Sequence, residues 1–222
     1  MDAPRALLEK YVAAVLTAPH NLSLTATRDP REFWQRHILD SLKLADLLPR
    51  QMHEKPLRVL DIGSGCGVPG IPVAIAVPSW RVFMLESNSK KCGFLDAFCT
   101  SANIENASVL LGRAEEFAHH PEHREQYDIV FARALAKLPT ALELTVPFLK
   151  IGGTLVIPHG VTASAELEMA QIALRKLNAH LTDSIAYEVV PKLKFTALIF
   201  SKREETSEAF PRKTGIPSKR PL

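Results

Sequence analysis

The chain has 222 residues, 46% hydrophobic and 23% charged, the balance of a globular protein with one sizeable domain and a small appendage. No apolar run approaches the roughly 18 residues of a bilayer-spanning helix, so no membrane partner is expected. The apolar stretch 11–18 belongs to a longer helical pattern rather than to a signal peptide. Cys66, Cys92 and Cys99 are odd in number and lack metal-ligand spacing, which predicts reduced thiols in the cytoplasm. The net charge of +3 is unevenly placed. Residues 191–222 hold eight Lys/Arg against three Glu, leaving 19 basic and 21 acidic residues upstream. A basic tail on a weakly acidic body suits a polyanionic partner.

In chain order, Leu7, Leu8, Tyr11, Val12, Val15 and Leu16 recur at helical spacing and predict an amphipathic helix over residues 4–16. Asp29, Pro30 and Glu32 supply an N-cap, a first-turn proline and the third member of a capping box. The helix they open carries Phe33, Trp34, Ile38, Leu42 and Leu48 and stops by Pro49. Residues 1–50 therefore form a helical cap. Strands are expected at 58–62, 81–86, 107–111, 127–133 and 153–159. Helices at 69–77, 89–102, 114–119, 138–149 and 164–177 alternate with them, which argues a parallel, doubly wound sheet. Runs 185–190 and 195–202 are separated by four residues, too few for a crossover, so this last pair is antiparallel. Such a mostly parallel seven-stranded Rossmann-like sheet with an antiparallel ending is the methyltransferase variant of the fold. Residues 51–203 form that domain, and 204–222 read as a basic, extended and partly mobile tail.

The glycine-dense stretch after the first strand is where a ligand approaches bare backbone. Gly65 through Gly70 satisfies the dinucleotide fingerprint G-x-G-x-x-G, so a nicotinamide dinucleotide is one candidate. Asp61 argues against it: a carboxylate stands two residues before Gly63, and the loop holds no Lys or Arg to offset a pyrophosphate. S-adenosylmethionine, with an ammonium, a sulfonium and no phosphate, has the opposite polarity and fits better. Asp61 would face the ammonium directly or through water, with the amides around Gly63, Gly65 and Gly67 near the carboxylate. Glu86, ending the second strand, suits the ribose hydroxyls of either cofactor.

Beyond these features the chain resembles the glucose-inhibited division protein B methyltransferases of bacteria over nearly its whole length. The resemblance rests on Arg36-His37-Ile38-Leu39-Asp40-Ser41-Leu42, on Leu60 to Gly65 with Pro69 to Pro72, and on Glu86-Ser87 with Lys90-Lys91. It continues through Gly112 to Glu116, Ala132-Arg133-Ala134 and the ending Phe210 to Lys213 with Gly215 to Pro217. It implies S-adenosylmethionine-dependent methylation of guanine N7 in the decoding-region loop of 16S ribosomal RNA, free or within the small subunit. It also implies that Gly63, Val68, Ala114, Glu115 and Arg133 lie at the cofactor. Two positions depart from the family pattern. Val68 stands where a bulkier Phe or Leu is usual, and His159 precedes Gly160 where Lys is usual.

Guanine N7 has a free lone pair and no proton to lose, so neither a general base nor a metal is expected. Arg133, at the end of the fourth strand, is expected to position the base as well as meet the cofactor. Lys90 and Lys91 oppose the macrodipole at a helix start by roughly 0.3–1 kcal/mol, a placement that suggests phosphate contact. Arg36, His159, Arg212, Lys213, Lys219 and Arg220 are the further RNA-binding candidates. His119, His120 and His123 with Glu122 fall in a polar loop and are not expected to hold a metal. A DNA partner is not expected, and nothing suggests an obligate oligomer, so a monomer is the expectation. A methyltransferase of another substrate and a nicotinamide-dependent oxidoreductase are the alternatives.

Overall fold

A computed structural model describes residues 2–160 and 163–222. The cap comprises α1 (Asp2–Thr17), α2 (Pro30–Phe33), a π-helical stretch Trp34–Leu39, α3 (Asp40–Asp46) and α4 (Arg50–His53). Asp29 caps α2 as expected, its Oδ1 accepting from Arg31 N (2.7 Å) and Glu32 N (3.3 Å). The capping box is not completed. Glu32 instead accepts from Thr27 Oγ1 (2.6 Å) and pairs with Arg36 (3.0 Å), while Asp29 N–H goes to Thr27 Oγ1.

Strands β1 (Arg58–Ile62), β2 (Arg81–Glu86) and β3 (Ala107–Leu111) occupy the expected residues. Strand β4 is Tyr127–Phe131, β5 Leu149–His159, β6 Ala179–Val190 and β7 Leu193–Lys202. Between them run α5 (Gly70–Ala76), α6 (Ser89–Ser101), α7 (Ala114–Phe117), α8 (Leu138–Thr145), α9 (Ala163–Met169) and α10 (Gln171–Lys176). The order is β3-β2-β1-β4-β5-β7-β6, parallel except that β7 runs antiparallel to both neighbours. The strand order reverses between the parallel neighbours β1 and β4, where a crevice opens beyond the strand ends, the usual ligand position in such sheets.

Alternate side chains divide the core. Val59, Val82, Ile129 and Val156 pack with α1, the cap and α5, whereas Leu60, Leu85, Val130 and Leu155 pack with α8 and α10. Asp61 shares the parity of Val59, so its carboxylate is buried on the cap side.

Residues 204–222 are not an extended arm. They fold back over α7 and α8 and contain a helical turn, α11 (Ile216–Lys219). Arg124 fastens them through the carbonyls of Thr206, Ser207 and Phe210. Thr140 Oγ1 donates to Pro217 O (3.0 Å), and Arg212 pairs with Glu143.

Candidate active site

The crevice holds two cavities that share Gly63 as a common wall residue. The first, about 160 Å³, lies among the ends of β1, β2 and β3, with Gly112, Arg113, Ala114 and Glu115 on one side and Leu135 on the other. The second, about 430 Å³, runs from Gly63, Gly65, Cys66 and Val68 to Arg133 and the cap residues Arg36 and His37. Gly63 takes φ +70°, and a Cβ there would stand 2.7 Å from Leu135 Cδ1 across the joint. A side chain at 63 would block the passage and strain the backbone.

The glycine loop is held from three sides. Glu86, 8% exposed, accepts from Gly65 N (2.9 Å) and Asn88 N (2.8 Å), linking the end of β2 to the loop and to the start of α6. These bonds leave lone pairs on both carboxylate oxygens. Tyr11 of α1, fully buried, donates to Cys66 O (2.6 Å). Asp61 Oδ2 accepts from Gly70 N (3.0 Å). Gly70 permits this approach, because a Cβ there would lie 2.6 Å from Met84 Cγ and 2.9 Å from Asp61 Oδ2.

Asp61 therefore sits behind the loop rather than on the cleft wall, which revises the expectation of direct contact with an ammonium. Its Oδ1 is buried with no hydrogen-bond partner, and burial pushes the carboxyl up to about 7. Ionised, it biases the loop toward cationic ligands and against phosphate. Glu115, 6% exposed, borders the first cavity, and its Oε1 accepts from Gly215 N (3.0 Å). The tail thus fixes this carboxylate, and Ser218 joins the same wall.

Arg133 lies two residues beyond β4, not in the strand, and the cap immobilises it. Its Nε lies 3.0 Å from Asp40 Oδ2, Nη1 is 2.8 Å from His37 Nδ1, and Nη2 donates to Arg36 O (2.8 Å). Asp40, 1% exposed, is completed by Tyr187 OH (2.7 Å) from β6. Burial raises its carboxyl, and the Arg133 guanidinium partly offsets that. The π-helical winding of Trp34–Leu39 precedes Asp40 directly and bears Arg36 and His37; such insertions recur at functional sites.

A model of the family described as rRNA small subunit methyltransferase G matches residues 5–189. A ribosomal RNA small subunit methyltransferase G of Oenococcus oeni is 34% identical over 216 residues, spanning 97% of this chain and 88% of its own. The protein of the same name from Gloeobacter violaceus is 36% identical over 216 residues, spanning 96% and 84%. The chain belongs to this methyltransferase family. Among solved structures it is similar to M. jannaschii TYW2 in complex with AdoMet, with TM-score 0.57 and 17% identity over 76% of each chain. The Methanococcus jannaschii fibrillarin pre-rRNA processing protein gives 0.52 and 19% over 68% and 69%. These two likenesses show the fold, that of class I methyltransferases.

Within this family member, Gly63, Gly65, Val68, Ala114, Glu115 and Arg133 all line the cleft, and Glu86 braces it. Gly67 supports the loop from behind, its φ of +101° and a 2.7 Å approach to Leu95 Cδ2 leaving no room for a side chain. The basic candidates divide. Lys90, Lys213, Lys219 and Arg220 are exposed, and Lys91 is half-buried beside Lys90 under the Asn88 cap. Arg36 is exposed and pairs with Glu32.

Two candidates are corrected. Arg212 makes a two-pronged contact with Glu143, Nε to Oε1 (2.8 Å) and Nη2 to Oε2 (2.7 Å), and Glu143 is fully buried. That guanidinium neutralises an interior carboxylate instead of standing free on a basic surface. His159 is 13% exposed and lies 3.3 Å from Glu166 Oε2, so it tethers α9 to β5. Among the described residues no three His, Cys, Asp or Glu side chains converge as a metal site. His119 and His123 bond to Pro211 O and Tyr127 OH instead. No helix of the described residues is long and apolar enough to cross a membrane.

Sequence reasoning did not find the roles of Tyr11, Tyr187 or Glu143. Asp40, in the motif that begins at Arg36, carried a signal: with Arg36 and His37 it reads as either an RNA-facing surface or a network joining cap and sheet, and the structure has the network.

Proposed function

We propose that the chain methylates N7 of a guanine in the decoding-region loop of 16S ribosomal RNA, with S-adenosylmethionine as donor, in the cytoplasm. The observation that carries this reading is the polarity of the cleft. Asp61, Glu86 and Glu115 surround a glycine loop that has no cation of its own, at the strand ends of a class I methyltransferase fold. A cofactor bearing positive charge fits it, whereas a dinucleotide pyrophosphate meets acids on three sides.

Glu86 would hold the ribose, Ala114 and Glu115 the adenine end, and Gly63 and Gly65 amides the carboxylate; the cofactor supplies an electrophilic sulfonium methyl. N7 attacks with its own lone pair, so the protein need take no proton. Its task is alignment and exclusion of water. Arg133, held at three points, keeps one face of the guanine pocket rigid, and Val68 closes the apolar side. The base must leave its stack for N7 to reach the cleft. Lys90, Lys91, Lys213, Lys219 and Arg220 provide phosphate contacts, and Arg36 extends the same surface from the cap.

Isothermal titration with S-adenosylmethionine and with NAD tests the cofactor: binding of the first alone is expected. Tritiated-methyl transfer to naked ribosomal RNA, small subunits and a protein extract tests the substrate. Label in 16S RNA, retained as 7-methylguanosine after digestion, is the expected result. Label only in the protein extract would overturn the reading.

A further inference from the structure

The cap supplies the cleft with a hydrogen-bond donor whose tautomer the structure dictates. His37 Nδ1 lies 2.8 Å from Arg133 Nη1. A guanidinium carries donors only, so Nδ1 accepts and the ring proton sits on Nε2. The same contact disfavours the doubly protonated ring. Burial, with Arg133 and Arg36 nearby, pulls the imidazole down to about 4, so it is neutral at physiological pH. Phe33, 4.6 Å away between ring centroids, fixes the ring from behind. His37 Nε2 has no hydrogen-bond partner among the described residues and is not among their sealed, unsatisfied atoms. The ring lines the second cavity together with Ser64, Gly65, Val68 and Arg133.

We infer that His37 is a specificity-determining residue whose Nε2–H donates to O6 of the guanine being methylated. The inference rests on the reaction proposed above. On the edge of guanine that carries N7, the acceptors are N7 and O6. N7 must stay bare to take the methyl group, which leaves O6 for recognition. Adenine presents an N6 amino donor at that position, so donor would face donor. Arg133 gives three of its five N–H groups to the cap, and the two that remain belong to a cation. A neutral donor also has a chemical advantage. A cation at O6 would draw electron density from the ring and make N7 a poorer nucleophile.

The test is single-turnover transfer to small subunits reconstituted with 16S RNA carrying guanine or 2-aminopurine at the target. 2-Aminopurine keeps N7 and lacks O6. Wild type should prefer guanine by about tenfold or more, the effect of one unpaired buried donor. His37→Ala should bring the ratio toward one by slowing transfer to guanine. His37→Asn gives Arg133 an amide oxygen in place of Nδ1, which keeps the cap attached, but is too short to place a donor at the Nε2 position. It should lose the preference equally, with S-adenosylmethionine affinity within about twofold of wild type. A guanine preference unchanged in folded His37→Asn would overturn the inference, as would a loss confined to cofactor affinity. If wild type labels no guanine at all, the proposed reaction fails first and takes the inference with it.

Discussion

The two ends of the cleft are built differently. At the Gly63–Glu115 end, the ligand-facing groups are backbone amides and strand-end carboxylates, all placed by the sheet within a few residues of their strands. At the Arg133 end, the central groups are held by partners far along the chain: Arg133 by Asp40, Asp40 by Tyr187. A local end is one that a sheet of this kind builds from its own strand termini. A long-range end, assembled from cap, sheet and hairpin, defines what approaches it. The tail crosses this division, because it is distant in sequence yet fixes Glu115 on the local side.

The largest effect is expected where that division is crossed. Arg212→Ala leaves Glu143 buried without a counter-charge and should cost about 3–5 kcal/mol in urea unfolding. Replacing both Arg212 and Glu143 by Leu should restore most of it. A loss below about 1 kcal/mol for the single variant would mean the tail is a loose arm after all.

Arg133→Ala should slow single-turnover methylation by about a hundredfold through poorer alignment. It should also destabilise the fold by about 1–3 kcal/mol, since buried Asp40 keeps Tyr187 alone. Wild-type cofactor affinity together with a wild-type rate would remove Arg133 from the site.

Asp61→Asn separates stability from function at the local end. A carboxyl raised from its unfolded value to about 7 gives the folded state extra protons between about pH 4 and pH 7. Wild-type stability from this group is therefore fully present below about pH 4 and is lost as pH rises through about 7. The variant should be more stable than wild type by about 1–3 kcal/mol at pH 8, an advantage that fades toward pH 4, while binding S-adenosylmethionine more weakly. Thermal melts across that range check it; an advantage independent of pH would contradict it. His37 works in the opposite sense. Its lowered value means stability present above about pH 6.5 and lost as pH falls through about 4, and His37→Asn should abolish that acid-side slope.

The smallest effect belongs to the exposed cations. Reversing Lys213, Lys219 and Arg220 should flatten the dependence of RNA binding on salt by roughly 0.7 for each phosphate no longer neutralised, with the fold unchanged. An unchanged slope would take the tail out of the RNA interface.

The same division explains what could be read beforehand. Strands β1, β2 and β3 matched residue for residue because each is a short apolar run bounded by turn residues. Strand β6 begins at Ala179, six residues before its apolar stretch, because most of residues 180–186 are exposed on a sheet edge and show no alternation. Helices α9 and α10 break at Ala170 without a proline or glycine to announce it. Glycine loop, Glu86 and Arg133 were legible because turn chemistry and strand ends are local features. Arg212 was misread because its partner lies 69 residues away, and a basic residue beside basic residues looks like a surface. Asp61 was placed at the right strand end on the wrong side, since the direction of a strand-end side chain depends on which face the cap covers.

Gly215 and Ser218 complete the wall around Glu115, and they follow all seven strands in the chain. During synthesis the sheet can form while this wall is still missing. A nascent chain still lacking them has its glycine loop but an open side at Glu115. The first cavity is thus completed only when the final stretch has left the ribosome and docked on α7 and α8. Proteolysis between Lys213 and Gly215 would return a finished molecule to that unfinished condition, with Arg212 still on Glu143 and the wall at Glu115 open.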